Sequence, residues 1–149
     1  MNEFNIEETV CNCPTCIEMC RRFPCWGTPE DIKKIVEAGF ADCLSLDCVP
    51  SSEYSGVSVF ILYPAITGFE GRKAEFAHRG VCTFLTKDNK CRLHTLGLKP
   101  TEGRVMDHKC LHPEIHEKVL MSWNNAEAQE FAKSLFSNLL KGDSNDSPL

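Results

Sequence analysis

Residues 11–20 read CNCPTCIEMC, and RRFPC follows at 21–25. Four thiols in ten residues, with a fifth at Cys25, demand a chemical reason. A disulfide staple, a zinc site, an iron–sulfur cluster and a redox centre are the candidates, and the surroundings choose among them. Residues 1–10, MNEFNIEETV, carry acids where a secretory signal would carry basic residues and then an apolar run. The longest apolar stretch, VSVFILYPAI at 57–66, is too short for a membrane span and contains a serine and a proline. A cytoplasmic protein is expected, and in that compartment thiols are kept reduced. Clustered cysteines then point to metal or redox chemistry ahead of disulfides.

Thiolate is a soft, negatively charged ligand, and four of them satisfy Zn²⁺ or an iron–sulfur cluster. Cys13 and Cys16 have the C-x2-C spacing that lets a tight turn aim two sulfurs at one ion. Cys20 and Cys25 extend the local set, and Cys82, Cys91 and Cys110 supply distant ligands that would tie remote parts of the chain together. These seven are the expected metal ligands. Cys11, two residues before Cys13, stands open, while Cys43 and Cys48 in ADCLSLDCVP read as small buried hydrophobes. His112 and His116 are spaced i, i+4 on an expected helix, and His94 and His108 each lie close to a cysteine. Any of the four, or Cys11, could complete a site short of a thiolate.

Other functions fit less well. A formal charge of −5 and a pI near 5.5 argue against a broad phosphate-binding face, so no nucleic-acid or membrane partner is expected. The order Cys13-x2-Cys16-x3-Cys20 reverses the C-x3-C-x2-C loop of radical S-adenosylmethionine enzymes. A thioredoxin-like C-x2-C would need a strand before it, and NEFNIEETV is a poor one. No Gly-rich phosphate loop, nucleophile elbow or H-E-x-x-H is present, and whether the protein is an enzyme stays open.

The remaining chain predicts an α+β fold in one domain, 1–142, followed by a disordered polar tail at 143–149. Its expected parts are a Cys-rich N-terminal loop, a short helix, a β-hairpin and C-terminal helices, with metal stabilising the whole. In GTPEDIKKIVEAGF, Thr28 suits the N-cap, Pro29 the first helical position and Gly39 the stop. Residues 57–66 are β-branched and aromatic and predict a buried strand broken at Pro64. VCTFLTKDNKCRLH at 81–94 alternates around KDNK, which predicts a hairpin with Cys82 and Cys91 on its two arms. HPEIHEKVLMSW predicts a helix near Pro113 with Ile115, Val119 and Leu120 on one face. NNAEAQEFAKSLFSNLLKG at 124–142 predicts a second, opening on an asparagine cap, with Phe131, Leu135, Leu139 and Leu140 on one face before Gly142.

Taken together and in order, CPTCIEMC, TPEDIKKI, GVCTFLTKDNKCRLH and KPTEGR resemble the zinc- or iron-chelating domain family named for its CxxCxxCC signature. The resemblance spans roughly residues 11–112. It implies Cys13, Cys16, Cys20, Cys82 and Cys91 as ligands. Against the family pattern, Met19 and Gly103 stand where cysteines are expected and His94 where a tyrosine is expected. Cys25, His94, Cys110 and His112 are the available replacements. Related cysteine-rich regions accompany enzymes, and iron–sulfur binding has been suggested for some, so the resemblance implies metal rather than a reaction. The function expected is zinc binding, chiefly structural. Iron or a [4Fe-4S] cluster in a redox protein or enzyme is the first alternative. A metal-shaped protein-interaction module, using the C-terminal helix, is the second.

Overall fold

The computed structural model describes residues 13–22, 24–50, 58–72, 80–105 and 113–142. Cys11, His108, Cys110, His112 and the 143–149 tail lie outside them. In chain order the elements are helix α1 (Pro14–Arg22), α2 (Pro29–Glu37), a single 3₁₀ turn (Ala41–Cys43), strands β1 (Leu44–Pro50) and β2 (Ser58–Pro64), and α3 (Arg92–Thr95), α4 (Thr101–Val105), α5 (Pro113–Met121) and α6 (Ala126–Gly142). Helices around a two-stranded antiparallel sheet make this an α+β arrangement. No helix of the described residues is long and apolar enough to cross a membrane.

The cysteine-rich segment expected as a loop is a helix from Pro14 onward. Pro14 sits at its start, where a missing N–H is harmless, and the Cys13 carbonyl accepts the first turn's bond from Ile17 N at 3.0 Å. Arg21 and Arg22 close it at the end that favours cations. Helix α2 forms as expected. Thr28 Oγ1 accepts from Asp31 N at 3.2 Å, Asp31 Oδ2 accepts from Thr28 N at 3.0 Å, and Gly39 follows with a left-handed φ of +98°.

Strand β2 ends at Pro64 as expected, and it pairs with β1 from Leu44↔Pro64 to Pro50↔Ser58. β1 was not foreseen, because Leu44, Ser45 and Leu46 are all buried and show no alternation. It corrects one expectation: Cys48 is exposed on the strand, whereas Cys43 is half-buried against the core. Gln129 of α6 takes the place of a further strand on β2. Its Oε1 accepts from Phe60 N at 3.1 Å and its Nε2 donates to Phe60 O at 2.9 Å.

The expected hairpin at 81–94 is also corrected. Cys82 pairs with Ile66, its N–H donates to Cys20 O at 2.9 Å, and the chain then turns sharply, Leu85 N to Cys82 O at 3.0 Å. One bridge, Leu85↔Cys91, is formed around the 86–90 turn before the second arm coils into α3. The first arm is already occupied by other partners, and burying Phe84 and Leu93 draws both arms inward.

The core joins Ile32 and Ile35 of α2, Leu44 and Leu46 of β1, and Val59, Ile61 and Leu62 of β2 with Phe84, Leu93, Leu120, Trp123 and Phe136. Both C-terminal helices form, with Asn125 Oδ1 capping α6 through Ala128 N at 2.8 Å, and Ile115, Val119 and Leu120 buried as expected. A buried carboxylate fixes α4. Asp31 Oδ2 accepts from Thr28 N, Thr101 N (2.9 Å) and Thr101 Oγ1 (2.5 Å), and Asp31 Oδ1 receives Arg104 Nη2 at 2.9 Å. Asp31 is 8% exposed, so removing it strands several donors away from water. Asp31→Ala is expected to lower the unfolding free energy by about 3 kcal/mol, read as a lower urea midpoint with an unchanged slope.

Candidate metal centre

Four chain segments bring thiols into one neighbourhood. Cys20 lies near the end of α1, which is held to the 80–82 segment by Cys82 N to Cys20 O and by Gly80 N to Arg22 O at 2.6 Å. Arg21 adds a side-chain hydrogen bond to Asn89 in the following turn. Cys25 lies on the extended stretch between α1 and α2. There Trp26 is gripped from both sides by Glu102: Trp26 N donates to Glu102 Oε1 at 2.9 Å, and Glu102 N donates to Trp26 O at 3.1 Å. Trp123 Nε1 donates to Gly27 O at 2.9 Å and holds the same stretch against the core. Cys82 opens the tight turn, and Cys91 directly precedes α3 with its side chain against the core.

The electrostatics show the proximity. Burial pushes the Cys25 thiol well above its ordinary value, and Cys82, Cys20, Cys91 and Glu102 push it the same way. Burial likewise carries Cys82 up to about 12, with Cys20 and Cys91 adding to the rise. Backbone hydrogen bonding at Phe84 and Leu85 opposes the shift, since it favours the thiolate. Cys20 is raised by burial and then by Cys91, against the pull of the nearby Lys99 ammonium. As they stand, these buried sulfurs prefer their protons. Among the described residues, no three His, Cys, Asp or Glu side chains stand in a metal-coordinating group.

Of the seven expected ligands, Cys20, Cys25, Cys82 and Cys91 therefore share a neighbourhood. Cys13 and Cys16 are half-buried at the start of α1, at spacings that place them on the same helix face as Cys20. Cys110 lies outside the described residues. His94 sits on α3, three residues beyond Cys91. His116 is engaged elsewhere: its Nδ1 meets Glu102 Oε2 at 2.5 Å, and its ring stacks on Trp26 with centroids 4.4 Å apart.

Two neighbours of the thiols carried no signal in the sequence, Lys99 and Glu102, and Gly103 was marked only as a position where the resemblance expects a cysteine. All lie on or just before α4, and only the fold brings α4 to Cys25. Gly103, where the family pattern expects a cysteine, lies against the Cys25 sulfur. A Cβ built on Gly103 would stand 3.0 Å from Cys25 Sγ. Compared with protein-family models, curated proteins and solved structures, the chain gives no match.

The Glu102–His116 pair makes a pH prediction. The hydrogen bond that His116 donates to the Glu102 carboxylate raises the His116 pKa above its ordinary 6.5, and its burial only partly offsets this. A folded-state pKa above the unfolded one stabilises fully below the unfolded value and is lost as pH rises through the folded value. Stability is therefore expected to decline with pH from about 6.5 upward through this pair, and His116→Gln should remove that component. Urea midpoints of both proteins across this range, compared as a difference, provide the check.

Proposed function

We propose that this chain is a metal-binding protein in which Cys20, Cys25, Cys82 and Cys91 hold one zinc ion with a structural role. The convergence of four thiols from four separate segments carries the reading. An all-sulfur set of four is the donor set that closed, structural Zn²⁺ sites use. Zn²⁺ would replace protons that burial otherwise keeps on Cys20, Cys25 and Cys82. The backbone at Phe84 and Leu85 beside Cys82, and the ammonium of Lys99 near Cys20, support thiolate charge where it would accumulate. Cys13, Cys16 and Cys110 remain candidate ligands beside the quartet. Iron, alone or in a [4Fe-4S] cluster, makes the same demand for four thiolates. The reading assigns no reaction.

Structure argues for the structural role through α1. Ile17 is its one buried residue among those described, so the helix has little apolar anchorage of its own. A ligand at Cys20 would fasten it to the turn at Cys82 and to the start of α3.

Protein purified without oxygen is expected to carry about one zinc per chain and to be colourless. Cys20→Ser and Cys91→Ser should lose the metal and melt at lower temperature, while Cys48→Ser, on the exposed face of β1, should behave as wild type. Chelation should lower the wild-type melting temperature as well. A melting curve indifferent to metal removal would sink the structural role, and a brown protein containing iron and sulfide would replace zinc with a cluster.

A further inference from the structure

We infer that Gly103 is a positioning residue for this centre: its bare Cα seats the Cys25 sulfur, and a side chain there would displace that thiol from the quartet. The inference rests on the metal reading above and deepens it. Gly103 lies inside α4, where glycine weakens a helix relative to alanine. It is not among the glycines with positive φ, so backbone conformation does not call for glycine here. Space does. A Cβ at 103 would fall 3.0 Å from Cys25 Sγ, 2.9 Å from Lys99 Cε and 3.0 Å from Lys99 Cγ.

The two neighbours differ in their freedom to yield. The Lys99 stem is flexible and can swing aside. Cys25 has less room, because the next residue, Trp26, is bonded through both its N–H and its carbonyl to Glu102, the residue beside Gly103. The same clamp that brings Cys25 to α4 also fixes how closely it approaches. A methyl group on residue 103 therefore acts on the thiol rather than on the helix.

The full-length protein, stripped of metal and titrated with Co²⁺ in the absence of oxygen, reports its thiolate ligands through the sulfur-to-cobalt charge-transfer band. Gly103→Ala is expected to lose about a quarter of that band per bound ion, as one of four thiolates leaves. It should also bind Co²⁺ about 10- to 100-fold more weakly, while its metal-free melting temperature stays near that of wild type. A role confined to helix packing would instead lower the melting temperature with and without metal and leave the band intact. If Gly103→Ala fails to fold, the paired change Cys25→Ala with Gly103→Cys decides. A thiol carried on residue 103 projects into the volume the Cys25 sulfur vacates, so the double variant should regain the band that Cys25→Ala alone loses. An unchanged band and affinity in Gly103→Ala, or a double variant no better than Cys25→Ala, overturns the inference. Wild-type protein that binds no Co²⁺ overturns the metal reading itself, together with this one.

Discussion

The carboxylate of Asp31 is the constraint on which the arrangement of this protein depends. It closes the capping box that starts α2, and its outer lone pairs then receive Thr101 N, Thr101 Oγ1 and Arg104. One buried side chain thereby fixes the distance and orientation between two helices far apart in sequence. Because α4 is short, it has little stability of its own, and the bonds from Asp31 decide where it lies. Everything α4 presents follows from that placement. Glu102 reaches Trp26 and His116, and Gly103 meets Cys25. A carboxylate serving as a helix cap is thus also a remote support of the thiol neighbourhood.

What could be read from the sequence divides by the range of the forces involved. Helix α2 was legible because its signals are local: Thr28, Pro29 and Asp31 at one end and Gly39 at the other. Strand β2 announced itself by composition, α5 and α6 by apolar period, and the start of α6 by an asparagine cap that the structure places at Asn125. Strand β1 was hidden, since its first half is buried on both faces and its alternation begins only at Asp47. Helix α1 was masked by chemistry: four cysteines invite a loop, although Pro14 and the terminal arginines carry ordinary helix signals. At 81–94 the local turn was right, but partners from Ile66 and α1 claimed the first arm.

The thiol neighbourhood shows the same division. All four of its cysteines were among the seven named from spacing and clustering. Nothing in the spacing joined Cys25 to Glu102 or Gly103, because that contact is made by tertiary structure alone. Nor could spacing foresee that the His116 imidazole would be taken up by Glu102 and Trp26 rather than by the thiols.

Under the proposed metal reading, the two halves of the molecule depend on different forces. The part built on Asp31 has a core of its own: Ile32, Ile35, Leu62, Phe84 and Trp123 are all nearly inaccessible to water. Helix α1 has nine residues and buries Ile17 alone among those described. Isolated helices shorter than about 12–15 residues are marginal in water, and burying one isoleucine contributes about 1.5–3 kcal/mol. A structural zinc ion contributes on the order of 10 kcal/mol, which exceeds that anchorage several-fold. Metal binding would thus act chiefly on α1, while the core around Asp31, which includes Phe84, keeps its fold. The cysteine-rich segment is then a helix docked by its own ligand, and its order becomes a measure of whether the metal is there.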